Sequence, residues 1–161
     1  TWLSTFVPET ERWLAAVQQL PAVLAGDTEP EDAAERARMG AILVDQGRDR
    51  EAVDFLTRAF ADDPLLEQDL DVGYLYTVAR AAARLGTAAD RERARAWMAA
   101  YVDAVLGASL PIAVHAPMWL HDPAFAGVRD EAALGKLPAE ERVAWRALWV
   151  CVREAVESLG G

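Results

Sequence analysis

The chain has 161 residues, 53% of them hydrophobic and 26% charged, with a net charge of −10 from 16 basic and 26 acidic residues. That length and composition give one globular domain with a continuous core and exclude a disordered chain. The acidity disfavours nucleic acid, whose phosphates require basic patches, and no apolar run reaches the ~18 residues of a membrane span.

One cysteine allows no intramolecular disulfide and fits a reducing compartment, the cytoplasm. Thr1-Trp2-Leu3-Ser4 lacks the basic start of a signal peptide. With no initiator Met and an end in Leu159-Gly160-Gly161, the chain reads as a piece of a longer protein. Alanine, leucine, glutamate and arginine dominate, which favours helix over strand.

The elements follow in chain order. Residues 9–24 are expected as an N-terminal helix with Trp13, Val17 and Leu20 on one face. Residues 31–64, EDAAERARMGAILVDQGRDREAVDFLTRAFADDP, carry the pattern of one tetratricopeptide repeat, about 34 residues of helix, turn and helix. Gly40 takes the small position where the helices cross. Gly47 closes the first helix, since a glycine adopts the left-handed C-terminal conformation without Cβ strain. Ala52, Leu56 and Ala59 recur at helical spacing, and Pro64 ends the unit.

Residues 65–107 read as a degenerate second repeat. DVGYLYTVARAAARLG (71–86) places Ala79 at the small position and Gly86 at the close. RERARAWMAAYVDAVLG (91–107) supplies the second helix, with Ala94 and Met98 matching Ala52 and Leu56. Residues 108–161 form a C-terminal capping region. Pro111 and Pro117 predict a short or kinked helix over 110–120, ended by His121-Asp122-Pro123. A loop follows over 124–137, with one helical turn at Glu131–Leu134. Pro138 then starts a last helix whose apolar stripe is Trp145, Leu148, Trp149, Val152, Ala155, Val156 and Leu159. The expected fold is all-α, a tetratricopeptide-like stack (α-solenoid) of about seven or eight helices with a C-terminal cap.

LPAVLAGDTEPEDAAERARMGAIL, GYLYTVARAAARLG and HDPAFAGVRDEAALGKLPAEERVAWRALWVCV together resemble the C-terminal region of large planctomycete-type bacterial proteins. In those proteins tetratricopeptide repeats follow a serine/threonine protein kinase domain. The resemblance implies an interaction or regulatory tail rather than a kinase, since no glycine-rich loop, HRD or DFG motif occurs here. Thr77-Val78-Ala79-Arg80 stands where the family usually has Asn-Ala-Ala-Cys.

The chemical candidates are few. His115 and His121, at i and i+6, point about 240° apart on a continuous helix, so no shared metal is expected. Cys151, just outside the last stripe, is expected as a partly buried, inert thiol. The acidic clusters Asp62-Asp63, Asp69/Asp71 and Glu140-Glu141 fit helix ends. No catalytic residue and no cofactor is expected. The tryptophans are expected in packing, with Trp2 as the exception.

Function is expected on a concave groove lined by the first helices of the repeats. Its positions are Ala34, Ala37, Ala41 and Val44 in the first repeat, and Tyr76, Arg80, Ala83 and Arg84 in the second. Arg80 and Arg84 either hold an acidic peptide or carboxylate, or pair with Asp or Glu on a neighbouring helix. The expected partner is thus a protein or peptide, possibly another domain of the parent chain. The alternative is a structural spacer whose groove is filled by residues 108–137. A polar pocket joining His115, His121 and an acid would instead indicate an enzyme.

Overall fold

The computed structural model describes residues 2–108 and 116–160, with side chains for 8–108 and 118–158. Every regular element among them is helical. Contacts cluster into two compact units, residues 1–69 and 70–161.

The first unit holds α1 (Trp2–Ala25), α2 (Ala33–Asp45), α3 (Asp49–Asp62) and a 3-10 turn at Pro64–Gln68. α2 and α3 form an antiparallel hairpin on which α1 packs through α2. Asp32 caps α2, its Oδ1 accepting from the Glu35 N–H at 2.7 Å, while the Glu35 carboxylate accepts from the Glu31 N–H. This D-x-x-E arrangement is close to a capping box and satisfies two orphan donors.

Gly47 ends α2 at φ 73°, with the Gly47 N–H on the Val44 carbonyl at 3.1 Å and the Arg48 N–H on Leu43 at 2.9 Å. That double bond pattern is a Schellman close. A methyl at Gly40 would lie 2.7 Å from Leu56 Cγ and 3.3 Å from the Leu56 backbone nitrogen. Only glycine permits this approach of α2 to α3. Asp63 caps the turn begun by Pro64, accepting from the Leu65 N–H at 3.0 Å. Asp62 instead pairs with Arg36 across the hairpin.

α1 is longer than expected, and neither Pro8 nor Pro21 ends it, although each removes a backbone donor. Among its described side chains Ala16 and Leu20 are buried, whereas Val17 is 49% exposed. Consecutive helical residues lie about 100° apart, so a face centred on Ala16 turns Val17 to its edge.

The second unit holds α4 (Tyr74–Leu85), α5 (Ala88–Gly107), α6 (Ala116–Trp119), a 3-10 turn at Pro123–Phe125, α7 (Ala126–Arg129), α8 (Glu131–Leu134) and α9 (Ala139–Gly160). α4 and α5 form the hairpin, and α9 packs on α5, α6 and α7. Gly86 closes α4 at φ 70°, and Thr87 caps α5 by accepting from the Asp90 N–H at 3.2 Å. Ala79, Ala94 and Met98 are fully buried, as their counterparts Ala52 and Leu56 are in the first unit.

The helical turn at Glu131–Leu134 stands where the sequence places it. The rest of 124–137 is more ordered than a loop. Asp122 caps the 3-10 turn, and Ala124, Phe125 and Val128 are buried. The stripe of α9 buries Trp145, Leu148, Trp149, Val152 and Ala155; Leu159, Trp2, His115 and most of the kinked 110–120 segment lie outside the described side chains. Cys151 is exposed, a correction to the partly buried thiol. Its position beside the stripe turns the sulfur outward.

Glu141 does more than complement the helix dipole. Its two oxygens accept from Nε and Nη2 of Arg91 on α5, the latter at 2.8 Å, and both side chains are largely buried. The Arg91 hydrogen bonds hold the Glu141 carboxyl below its ordinary 4.5, outweighing the opposing effect of burial. A depressed folded value contributes stability above pH 4.5 that is lost as pH falls through that lower value. Glu141→Gln is therefore expected to flatten the acid limb of the stability curve. Urea midpoints taken at neutral and acid pH check this, and an unchanged difference between them would refute it.

Candidate functional site

Tyr76 and Arg80 stand one turn apart on α4, so both side chains leave the same helix face. The residue that meets them is Asp122, at the cap of the Pro123–Phe125 turn in the same unit. The Tyr76 hydroxyl donates to Asp122 Oδ2 at 2.6 Å. Arg80 Nε lies 2.8 Å from that same oxygen. Asp122 Oδ1 accepts from the Ala124 N–H at 2.8 Å, and the Asp122 carbonyl accepts from Arg129 Nη1 at 2.8 Å. Asp122 is thus held at both carboxylate oxygens and at its backbone.

The two contacts at Oδ2 differ in quality. Arg80 Nε is fully shielded from solvent, yet its N–H makes no hydrogen bond. The 2.8 Å approach is therefore an ion-pair contact in which the N–H points off the oxygen.

Aromatic packing fixes the position of α4 against this loop. The Tyr76 ring sits 5.5 Å from that of Tyr101 and 6.0 Å from that of Phe125. Tyr101 meets Trp119 edge-on at 5.5 Å. Burial is the largest influence on the Tyr76 phenol and the Asp122 carboxylate the next; both push its ionisation far above the usual range. Tyr76 is consequently a proton donor at every physiological pH.

Beside this cluster opens a cavity of about 360 Å³, lined by Tyr76, Arg80, Met118, His121, Asp122 and Pro123. Met118 is 59% exposed, a large apolar side chain at the surface. The arrangement offers an apolar wall, one guanidinium and one carboxylate, enough to take a side chain of a partner.

Of the expected groove residues, Ala37, Ala41 and Val44 are buried in the first unit and offer a ligand no surface. A first helix in a close hairpin spends its small residues on packing, which corrects their assignment as groove lining. Tyr76 and Arg80 are half-buried at the site, and Arg84 is exposed on α4. Arg80 meets an acid of the chain itself. Sequence reasoning missed Asp122 as a partner, although Asp before Pro signals a turn cap. Among the described residues, no three His, Cys, Asp or Glu side chains converge as metal ligands would. No helix among them is long and apolar enough to cross a membrane. No protein-family model matches the chain, and no curated protein or solved structure matches it.

Proposed function

We propose that this chain is a non-catalytic protein-interaction module of tetratricopeptide type that takes a peptide segment of a partner protein at the α4 site. The observation that carries the reading is the cavity of about 360 Å³ walled by the exposed Met118 and by Tyr76 and Pro123, with Arg80 at its side. An aromatic–arginine pair beside an apolar wall is the composition of a binding hot spot. Catalysis is the weaker reading because the acid at the site, Asp122, is committed to Tyr76, Arg80 and the Ala124 amide. A general base needs an oxygen free to reach a substrate proton.

The repeat assignment rests on the close crossing at Gly40, the Gly47 close and the buried Ala79, Ala94 and Met98. The kinase-tail relationship belongs to the same proposal. A kinase domain encoded upstream of Thr1 supports it, and an unrelated domain there opposes it.

Screening the chain against labelled peptides that pair an aromatic residue with an acidic one tests the site. Met118→Glu is expected to weaken each bound peptide at least about tenfold, the cost of placing a charge against an apolar contact. Unchanged affinities would remove the site from the proposal. The competing reading, a packing domain with no separate ligand, draws on the engagement of Tyr76 and Arg80 by Asp122. It expects no peptide to bind at all.

A further inference from the structure

We infer that Tyr76 and Arg80 form a carboxylate-recognition pair filled in cis by Asp122, and that the partner presents an acidic side chain beside an apolar one. This rests on the interaction reading above and names its ligand chemistry.

A phenol O–H and a guanidinium converge on one oxygen, Asp122 Oδ2, at 2.6 and 2.8 Å. Charge-assisted donors converging in this way select a carboxylate. Asp122 fills the position imperfectly. Its other oxygen is held by the Ala124 N–H at 2.8 Å, a tether that restricts how the carboxylate can turn toward Arg80. The buried Arg80 N–H is left without a hydrogen bond. An external carboxylate has no such tether and can approach along the N–H. It gains the hydrogen bond that Asp122 forgoes.

Exchange needs only the Asp122 side chain to turn away. The backbone around it stays anchored by the buried Trp119 and Phe125 and by Arg129 on the Asp122 carbonyl. The adjoining cavity supplies the way in, and Met118, Tyr76 and Pro123 supply the apolar contact. The net charge of −10 opposes an acidic ligand at long range. At physiological salt that repulsion is screened beyond about 8 Å, so the local guanidinium decides.

A site that is 90–99% self-occupied binds its ligand about ten- to a hundredfold more weakly than the vacated site. Asp122→Asn keeps the acceptor for the Ala124 cap, turns to Tyr76 an amide N–H that the phenol oxygen can accept, and removes the charge that competes for Arg80. The probes are the peptides acetyl-Phe-Asp-Pro-Leu-amide and its Asn counterpart, titrated calorimetrically into the full chain. The Asp peptide is expected to bind Asp122→Asn at least about tenfold more tightly than the unmodified chain. Adding Arg80→Gln is expected to abolish that gain, and the Asn peptide is expected to show none. Equal affinity for both chains, or indifference to Arg80→Gln, overturns the inference.

If Met118→Glu still weakens binding at least about tenfold in that case, the pocket reading survives alone. If no peptide binds either chain, the pocket reading falls too. Asp122→Ser, also competent as a cap, replaces Asp122→Asn should circular dichroism show the latter unfolded.

Discussion

Trp149→Ala is expected to lower the unfolding free energy of the second unit by about 3–5 kcal/mol, the range for removing a large buried aromatic side chain. Trp149 is 2% exposed. Its ring meets Phe125 edge-on at 5.6 Å and stacks on Trp145 at 6.2 Å. Its indole N–H donates to the Val128 carbonyl at 2.8 Å. Truncation leaves a void among these rings and strips a buried acceptor of its donor, which by itself costs about 1–3 kcal/mol. Trp149→Phe keeps much of the volume, leaving a smaller void along with the lost hydrogen bond, so its cost should be clearly smaller. Urea unfolding followed by circular dichroism measures both. Equal losses for Ala and Phe would place the energy in the hydrogen bond instead of the packing. Because Phe125 also touches Tyr76, Trp149→Ala should further loosen the carboxylate site.

The second large effect belongs to the α2–α3 crossing. Leu56→Ala is expected to cost about 2–5 kcal/mol, since Leu56 is fully buried and little around it can collapse. Gly40→Ala alone is expected to cost up to about 3 kcal/mol from overpacking. The better helix propensity of alanine offsets about 1 kcal/mol of that. The two changes should not add. Removing Leu56 Cγ and Cδ2 clears the atoms nearest the new methyl, at 2.7 and 3.2 Å. The double variant should therefore cost less than the sum of the singles by more than about 0.5 kcal/mol, the margin within which independent sites add. Additivity would mean that the helices do not meet at Gly40. Relief will be incomplete, because the Leu56 backbone nitrogen at 3.3 Å remains.

The elements legible in the sequence were those with local causes. Gly47 and Gly86 end helices because each supplies the left-handed residue that a helix close requires. The small residue at Gly40, the turn at Glu131–Leu134 and the stripe of α9 follow from spacing alone. The order within 124–130 was not legible. Ala124, Phe125 and Val128 show no periodicity long enough to separate a buried 3-10 turn and a single helical turn from a loop.

The same division runs through the site. Sequence by itself determined that Tyr76 and Arg80 share a face of α4, because a 3.6-residue turn aligns positions four apart. It also determined that the 110–120 segment ends at His121-Asp122-Pro123, because proline cannot continue a helix; the cap that Asp122 makes came from the structure. Only the tertiary structure decided that the two meet, 46 residues apart between Tyr76 and Asp122. Aromatic packing of Phe125 and Trp119 against Tyr76 and Tyr101 sets that meeting, and no local periodicity encodes a contact across such a separation. The same packing decided that Arg80 faces the loop and its acid, Asp122.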